Sequence, residues 1–182
     1  MELIKTEIAD CWVVIPKVFK DERGYFFESF HQKRFQKLTN ISFNPIQDNE
    51  AFSSFGVIRG LHFQKGPAAQ AKLVRALQGT VLDVVIDIRK NSSSYGKVVT
   101  RLLSQENKEQ LFVPKGCAHG YAALSKQVVL FYKTDAYYNP EAEAGILFND
   151  TDLGIDWQIP EKDQVLSQKD LLWPTFKKLD CE

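Results

Sequence analysis

Val81-Leu82-Asp83-Val84-Val85-Ile86-Asp87-Ile88 carries apolar residues at both odd and even positions and is interrupted only by two aspartates. Side chains alternate between the two faces of a β-strand, so this pattern predicts a strand that is covered on both faces. Asp83 and Asp87 lie four residues apart and would point to the same face. Two interpretations remain open: the aspartates are solvated or paired with a neighbouring cation, or one of them lies beside a buried site.

Short strands on both sides of this stretch predict a domain built almost entirely of β-sheet. Turn-forming residues such as Lys65-Gly66-Pro67 and Asn139-Pro140 recur along the chain, separated by segments rich in Val, Ile, Leu, Phe and Tyr. We predict strands at 11–19, 24–29, 43–53, 57–64, 71–77, 80–89, 98–103, 110–113, 120–123 and 128–134. Only the segment 30–38 shows helical spacing. One short helix cannot cover a sheet, so the strands must pack against each other as a sandwich or a barrel.

The charges of the chain cancel, with 23 Lys and Arg residues against 23 Asp and Glu residues among 182 positions. Proteins that bind nucleic acids or membrane surfaces depend on a surplus of basic residues, so we expect neither partner. The length fits one domain spanning 1–182, and the apolar content of 44% is sufficient for a core.

Targeting and redox features favour the cytoplasm. No apolar segment reaches the roughly 20 residues of a membrane helix, and residues 1–10 lack the basic and apolar regions of a signal peptide. Cys11, Cys117 and Cys181 are odd in number and widely spaced, which is typical of reduced thiols rather than of a disulfide framework.

Three histidines are the first candidates for chemistry. His31 falls on the polar side of the predicted helix and is expected at the surface. His62 lies in an apolar strand, where a titratable ring requires either a hydrogen-bond partner or a functional role. Arg59 is a permanent cation suited to phosphate, and Gly60 allows close backbone approach. Strict alternation sends Arg59 and His62 to opposite faces, so either Gly60 marks a bulge or the two residues act at different depths.

His119 raises the possibility of a metal site, because Cys117 lies two positions before it. Together with His62 these residues would make three plausible ligands of a transition metal. The chain has no His-x-His motif, no second Cys pair and no carboxylate at a recognisable ligand spacing. We therefore predict no metal.

Lys72 and Tyr132 each permit two interpretations. A lysine in an apolar strand is normally an edge residue that extends its charge into solvent, but one facing a cavity could stabilise an oxyanion. Tyr132 follows an apolar run and precedes Tyr137-Tyr138, a pattern that these residues alone assign to an aromatic rim.

Several motifs stand out by their order and spacing. The main stretches are Gly56-Val57-Ile58-Arg59-Gly60-Leu61-His62-Phe63-Gln64, Gln70-Ala71-Lys72-Leu73-Val74-Arg75 and Pro114-Lys115-Gly116-Cys117-Ala118-His119-Gly120. They are accompanied by Asp21-Glu22-Arg23-Gly24-Tyr25-Phe26-Phe27-Glu28, Gln47-Asp48-Asn49, Tyr132-Lys133-Thr134, Tyr137-Tyr138, Glu143-Ala144-Gly145-Ile146, Asn149-Asp150 and Leu166-Ser167-Gln168-Lys169-Asp170. In this combination, over nearly its whole length, the chain resembles the dTDP-4-dehydrorhamnose 3,5-epimerase family.

The resemblance implies an all-β fold of the cupin type, a double-stranded β-helix or jelly roll with a few short helices. It also implies a homodimer that works without a metal or other cofactor. The reaction it implies inverts C3 and C5 of dTDP-4-dehydro-6-deoxy-D-glucose to give dTDP-4-dehydro-L-rhamnose. Both carbons flank the C4 ketone, so each inversion needs a base, a group that stabilises the enolate, and an acid on the opposite face.

The resemblance also assigns catalytic roles. His62 would be the base, and Asp170 would orient its imidazole and stabilise the imidazolium. Lys72 would stabilise the enolate oxygen, and Tyr132 would be the acid on the other face of the sugar.

The remaining matched positions would bind the nucleotide. Arg23 and Arg59 suit the diphosphate, because guanidinium groups pair with its oxygens. The other contacts, to thymine, deoxyribose and neighbouring groups, would come from Glu28, Gln47, Asn49, Phe26, Tyr138, His119, Glu143 and Lys169. A contribution of residues 23–28 from a neighbouring subunit is likewise implied by the resemblance.

The chain departs from the family pattern at three places. Phe63 replaces the usual Tyr, Cys117 stands where an aromatic residue is common, and Glu50-Ala51-Phe52 replaces a His-Ser-Arg-type run. The last change alters the polarity beside the sugar pocket and bears on substrate choice. Two alternatives stay open: an epimerase that inverts only C3 or C5 of a related dTDP-4-keto-6-deoxy sugar, and a nucleotide-sugar binding module or metal-dependent cupin.

Overall fold

The structure, a computed structural model, describes residues 1–179, so Cys181 lies outside the described residues. The strands are β1 Glu2–Lys5, β2 Trp12–Ile15, β3 Phe19–Asp21, β4 Gly24–Phe26, β5 Gln47–Ser54, β6 Ile58–Gln64, β7 Lys72–Gln78, β8 Thr80–Asp87, β9 Val98–Ser104, β10 Gln110–Val113, β11 Cys117–Ala123, β12 Gln127–Thr134 and β13 Glu143–Gly145. The helix is α1 Gln32–Thr39, and short 3-10 turns occupy Gly66–Ala68, Pro140–Ala142, Glu161–Asp163, Asp170–Leu172 and Phe176–Lys178.

Two antiparallel sheets form a jelly-roll sandwich. One sheet has six strands in the order β1-β2-β10-β7-β12-β5, and the other has five in the order β13-β6-β11-β8-β9. The strands β3 and β4 form a separate hairpin. The all-β, cupin-type fold class with few short helices is confirmed.

Both faces of β8 are covered, which explains why this strand is apolar at odd and even positions. Val13, Val74, Val85 and Leu130 belong to the core between the sheets, together with both described cysteines. The outer face of the five-stranded sheet packs against segment 146–159. The outer face of the six-stranded sheet packs against α1 and the residues that follow it.

An aromatic cluster fixes α1 on the six-stranded sheet. Phe35 is the buried residue of the helix, and its ring lies 4.8 Å from that of Phe112 on β10. The helix begins after His31, whose side chain caps it, and ends before Asn40 in the left-handed conformation. Its observed bounds therefore differ from the predicted 30–38 by one or two residues. No helix within residues 1–179 is long and apolar enough to cross a membrane.

Both described cysteines are free and buried. Burial raises the pKa of Cys11 to about 12 and also raises the pKa of Cys117. The prediction of reduced thiols is confirmed for these two residues.

Neither aspartate of β8 is solvated, and Asp87 is paired with a neighbouring cation, as the first interpretation allowed. Asp87 is fully buried and accepts hydrogen bonds from Arg89 at 2.8 Å and from Ser92 and Ser94 at 2.6 Å. Burial opposes ionisation, but these donors outweigh it and lower the pKa of Asp87 to about 2. Asp87 is therefore a structural ion-pair residue, whereas Asp83 is linked to the functional site.

Strand limits differ from the predictions where local chemistry interrupts pairing. The predicted strand 11–19 ends at Ile15, because Pro16 lacks the N–H that a ladder needs, and a new hairpin strand begins at Phe19. The predicted strand 43–53 starts only at Gln47, after Pro45. The short strands β1 and β13 were not predicted.

A bulge in β6 decides how Arg59 and His62 point. In the pairing of β6 with β11, His62 faces His119 and Arg59 faces Tyr121, so three steps on β6 match two on β11. Gly60 has φ +123°, and a Cβ there would lie 2.5 Å from the Cα of Gly120. The extra residue brings Arg59 and His62 to the same side, and the bulge is the correct alternative.

Candidate active site

A cavity of about 510 Å³ opens between the two sheets. Strands β5, β7 and β12 contribute to one side, β6 and β11 to the other, and segment 165–170 borders it. The predicted site residues that line it are Arg59, His62, Lys72, His119, Tyr132, Glu143, Lys169 and Asp170. The other lining residues are Ala51, Val57, Ile58, Gly120, Tyr121, Leu130, Val165, Leu166 and Ser167.

His62 and Asp170 form a hydrogen-bonded pair at this cavity. His62 Nε2 lies 2.5 Å from Asp170 Oδ1, and Asp170 is buried at the start of a 3-10 turn. Burial opposes ionisation of Asp170, but the contact with His62 prevails and the pKa of Asp170 lies below its ordinary value. An ionised carboxylate can only accept, so His62 Nε2 carries the proton and donates it. Nδ1 is then left with a lone pair that can act as a base.

A second histidine pair lies beside the first. His119 is directly opposite His62 across β6 and β11, and its Nε2 donates to Asp83 Oδ1 at 2.9 Å. Both residues of the pair are buried, and Asp83 Oδ2 has no hydrogen-bond partner among the described residues. Asp83 therefore stands behind the cavity wall, as the second interpretation of β8 expected.

Lys72 faces the cavity and is not an edge residue. β7 is paired on both sides, with β10 and with β12, so the edge interpretation is wrong. Its Nζ lies 5.9 Å from the centroid of the Tyr132 ring. Burial lowers the pKa of Lys72 from 10.5 to about 8, although the charges of Asp83 and Glu143 act in the opposite direction. The amine remains a cation at neutral pH.

Tyr132 is a cavity residue rather than part of an exposed rim. Burial raises its pKa, and the neighbouring Tyr121 adds to this effect. Tyr132 therefore retains its phenolic proton at neutral pH and can act as a proton donor. Tyr132 and Lys72 lie on the six-stranded sheet, whereas His62 lies on the five-stranded sheet opposite.

Tyr121 and Ser53 are cavity-side residues that sequence reasoning missed. The Tyr121 hydroxyl and Ser53 Oγ are 2.9 Å apart, and Arg59 Nε donates to the same Ser53 oxygen at 3.2 Å. Arg59 Nη2 also donates to the Phe52 carbonyl at 3.1 Å. Tyr121 shares a strand face with His119, two positions earlier, and that spacing was a usable signal. Ser53 offers no such signal in the sequence.

Glu143 interacts with two polar side chains at the cavity. Lys169 Nζ lies 2.5 Å from Glu143 Oε2, and the Tyr138 hydroxyl donates to the same oxygen. Burial raises the pKa of Glu143, but Lys169 and Tyr138 outweigh it and lower the pKa below its ordinary value. Lys169 therefore reaches the cavity next to Asp170.

A smaller depression adjoins the cavity through Tyr132. Its volume is about 270 Å³, and it is lined by Gln47, Asn49, Gln70, Tyr132 and Tyr138. Gln47 Nε2 donates to Asn49 Oδ1 at 2.9 Å, and Gln47 Oε1 accepts from the backbone N–H of Tyr138 at 3.0 Å. Three more predicted binding residues are thus next to the cavity rather than in it.

Arg23, Phe26 and Glu28 line neither the cavity nor the adjoining depression. Arg23 and Phe26 belong to the β3–β4 hairpin region, where the Arg23 side chain is 85% exposed and Phe26 is 71% exposed. Arg23 pairs with Asp21, and Glu28 pairs with Arg34 at 2.7 Å. None of the three is among the described residues that line the cavity of the same chain.

The three residues considered as metal ligands are either hydrogen-bonded to an aspartate or buried as a thiol. Within residues 1–179, His, Cys, Asp and Glu side chains form no group of three or more that could hold a metal ion. Burial raises the pKa of Cys117, which disfavours the thiolate that a metal binds. His62 and His119 are each hydrogen-bonded to an aspartate.

The cavity groups suit proton transfer next to a carbonyl. A histidine held by a carboxylate can remove a proton, and a partly desolvated ammonium can stabilise the enolate oxygen that forms. A phenol on the other sheet can return a proton. A model of the family described as dTDP-4-dehydrorhamnose 3,5-epimerase matches residues 5–178.

The chain belongs to the dTDP-4-dehydrorhamnose 3,5-epimerase family.

Close relatives support the family assignment over the full fold. The chain is 49% identical to a dTDP-4-dehydrorhamnose 3,5-epimerase of Escherichia coli K12, covering 93% of this chain and 91% of the relative. A crystal structure of such an epimerase from Elizabethkingia anophelis NUHP1 superposes with a TM-score of 0.95 at 52% identity, covering 97% of both chains.

A ligand-bound member of the epimerase family is also closely similar. It is a dTDP-6-deoxy-D-glucose-3,5-epimerase from Legionella pneumophila Philadelphia 1 in complex with dTDP-4-keto-L-rhamnose. Its TM-score is 0.94 at 42% identity, covering 98% of this chain and 94% of that chain.

The position of Lys72 predicts a characteristic dependence of stability on pH. Between about pH 8 and 10.5 the folded protein binds fewer protons at Lys72 than the unfolded chain. The free energy of unfolding should therefore rise with pH in this window, relative to Lys72→Met, by up to about 3 kcal/mol. Urea unfolding of both proteins from pH 7 to 10.5 measures the difference. Parallel pH profiles of the two proteins would contradict the assignment.

Proposed function

We propose that this protein inverts C3 and C5 of dTDP-4-dehydro-6-deoxy-D-glucose to give dTDP-4-dehydro-L-rhamnose, a step of dTDP-rhamnose biosynthesis. The observation that carries the proposal is the His62–Asp170 pair, which shares one cavity with Lys72 and Tyr132. Family membership supports the same reaction.

His62 begins each inversion as the base. Nδ1 removes the proton from the carbon next to the C4 ketone, while Nε2 stays hydrogen-bonded to Asp170. The carboxylate stabilises the imidazolium that results, because the charge forms in a buried environment. Asp170 is thus a positioning residue that acts through His62.

Lys72 and Tyr132 complete the exchange of protons. The Lys72 ammonium stabilises the negative charge on the C4 oxygen of the enolate, and this contribution weakens as pH rises through about 8. Tyr132 then donates its phenolic proton to the other face of the carbon, and solvent restores both groups. Removal and return of a proton leave the oxidation state unchanged, so the reaction needs no cofactor.

The nucleotide occupies the polar surfaces around the cavity. Arg59 binds the diphosphate, since its guanidinium lies at the cavity and is anchored by neutral groups rather than by a carboxylate. Gln47, Asn49 and Tyr138 bind the nucleoside in the adjoining depression. His119, Glu143 and Lys169 complete the contacts.

A homodimer gives the hairpin residues a role. Arg23, Phe26 and Glu28 are exposed and do not line the cavity of their own chain, so they would serve the cavity of a neighbouring subunit. Exposed aromatic residues on the hairpin, at Phe19 and Tyr25, suit such a contact.

The broader assignments follow from composition. We propose that 1–182 act as one catalytic domain in the cytoplasm, with neither nucleic acid nor membrane as partner. The equal numbers of acidic and basic residues support this view.

Proton exchange in deuterated water tests the reaction. We expect deuterium at both C3 and C5 of dTDP-4-dehydro-6-deoxy-D-glucose after incubation with the protein, measured by NMR. Incorporation at one carbon only would contradict the double inversion and favour a single-site epimerase. Binding without exchange would favour a nucleotide-sugar binding module.

His62→Ala should lower the exchange rate by about 10²- to 10⁴-fold, because the base is removed. Affinity for dTDP, measured by calorimetry, should change little. His31→Ala is the matched control, since His31 lies at the start of α1 outside the cavity. Exchange at the wild-type rate in His62→Ala would refute the role of His62.

Subunit sharing can be tested by mixing two impaired variants. Arg23→Ala and His62→Ala should each be strongly impaired, whereas their hybrid dimer holds one site with both native residues. Co-refolding equal amounts should restore roughly a quarter of wild-type activity, because half of the dimers are hybrids and each has one intact site. No gain over the separate variants would argue against a shared site.

A further inference from the structure

We propose that Ala51 and Leu130 form the subsite for the C6 methyl group of the sugar, and that this apolar subsite selects 6-deoxy sugars over sugars with a C6 hydroxyl. The inference rests on the proposed function, because it places a dTDP-linked sugar in the cavity between the sheets.

The register of two strands brings the pair together. Ala51 on β5 lies directly opposite Leu130 on β12, and both line the cavity. Leu130 is fully buried, whereas Ala51 is half-buried and presents only a methyl group. Tyr132 lies two residues after Leu130 and therefore on the same face of β12. The apolar pair is thus adjacent to the proposed acid.

The pair interrupts an otherwise polar surface. Along β5 the residues that share a face with Ala51 are Gln47, Asn49 and Ser53, which all carry hydrogen-bonding groups. Ala51 is the only member of this row that offers no donor or acceptor in its side chain. The interruption is therefore local, between the Ser53 that holds Arg59 and the Asn49 of the adjoining depression.

The sugar has one group that matches such a surface. Its ring oxygen, C2 and C3 hydroxyls and C4 ketone, and the diphosphate attached to it, all need polar partners, and C6 is the only apolar substituent of the sugar. C6 is attached to C5, one of the two carbons that exchange protons, so it must lie close to the catalytic groups. A hydroxyl placed against Ala51 and Leu130 would lose its hydrogen bonds to water without replacement.

Val165, another apolar side chain at the cavity, suits the methyl group less well. Val165 is 53% exposed, and its bridge partner is Val57. A methyl group against Val165 would remain in contact with water and would gain little from burial. The Ala51–Leu130 pair is more enclosed than Val165, because Leu130 is fully buried in the core between the sheets.

Two inert analogues that differ only at C6 test the inference. The wild-type protein should bind dTDP-6-deoxy-D-glucose about 10- to 100-fold more tightly than dTDP-D-glucose in calorimetry, which is the usual discrimination for such a change in an apolar pocket. Equal affinities for the two analogues would overturn the subsite.

Ala51→Ser assigns the discrimination to this position. The added hydroxyl can hydrogen-bond to a C6 hydroxyl, so the preference for the 6-deoxy analogue should narrow by about fivefold while the affinity for dTDP stays unchanged. Ala69→Ser is the matched control, since Ala69 is also half-buried but lies outside the cavity. An unchanged ratio in Ala51→Ser, or the same change in Ala69→Ser, would overturn the role of Ala51.

The two proposals fail in different ways. Binding of dTDP and exchange at C3 and C5, without discrimination at C6, would overturn only the methyl subsite. Absence of dTDP binding by the wild-type protein would overturn the proposed function together with the inference.

Discussion

The close approach of β6 and β11 at Gly60 and Gly120 is the constraint on which the candidate site depends. A Cβ at Gly60 would lie 2.5 Å from the Cα of Gly120, and a Cβ at Gly120 would lie 2.7 Å from the carbonyl oxygen of Arg59. Two facing glycines allow the bulge, and the bulge brings Arg59 and His62 to one side. The proposed diphosphate contact and the proposed base therefore share a cavity because two side chains are absent.

Charge at the cavity is balanced in pairs rather than accumulated. His62 and His119 each donate to a buried aspartate, and Lys169 is paired with Glu143. Lys72 has no direct ion pair among the described residues, but the charges of Asp83 and Glu143 partly offset its burial. A chain with zero net charge can in this way hold an anionic ligand without a basic outer surface.

Apolar segments between turn-forming residues predicted most of the strands, because a buried strand needs apolar side chains whatever its partners are. Short edge strands were not predicted. For example, β13 pairs with β6 through only three residues and has no apolar run of its own. Asp87 could not be placed, because its burial depends on Arg89, Ser92 and Ser94 folding back onto it.

The residues of the candidate site could be predicted from the sequence, but their arrangement in space could not. The family resemblance named His62, Lys72, Tyr132 and Asp170, and the structure brings them to one cavity, whereas alternation alone would have separated Arg59 from His62. Strict alternation fails here because it assumes regular pairing, and the bulge at Gly60 interrupts the pairing of β6 with β11. Sequence also could not show that the hairpin carrying Arg23 contributes no lining residue to the cavity of its own chain.

The proposed base and the proposed acid sit on different sheets, with His62 on one and Tyr132 on the other. Their separation is therefore set by the distance between the sheets, which is about 10 Å in sandwiches and is maintained by interior side chains. Val74 and Val85 belong to that interior and do not line the cavity. Packing of the core, at a distance from the substrate, thus sets the distance between the proposed base and the proposed acid. A core substitution that changes side-chain volume can therefore lower the turnover rate even where the protein remains folded.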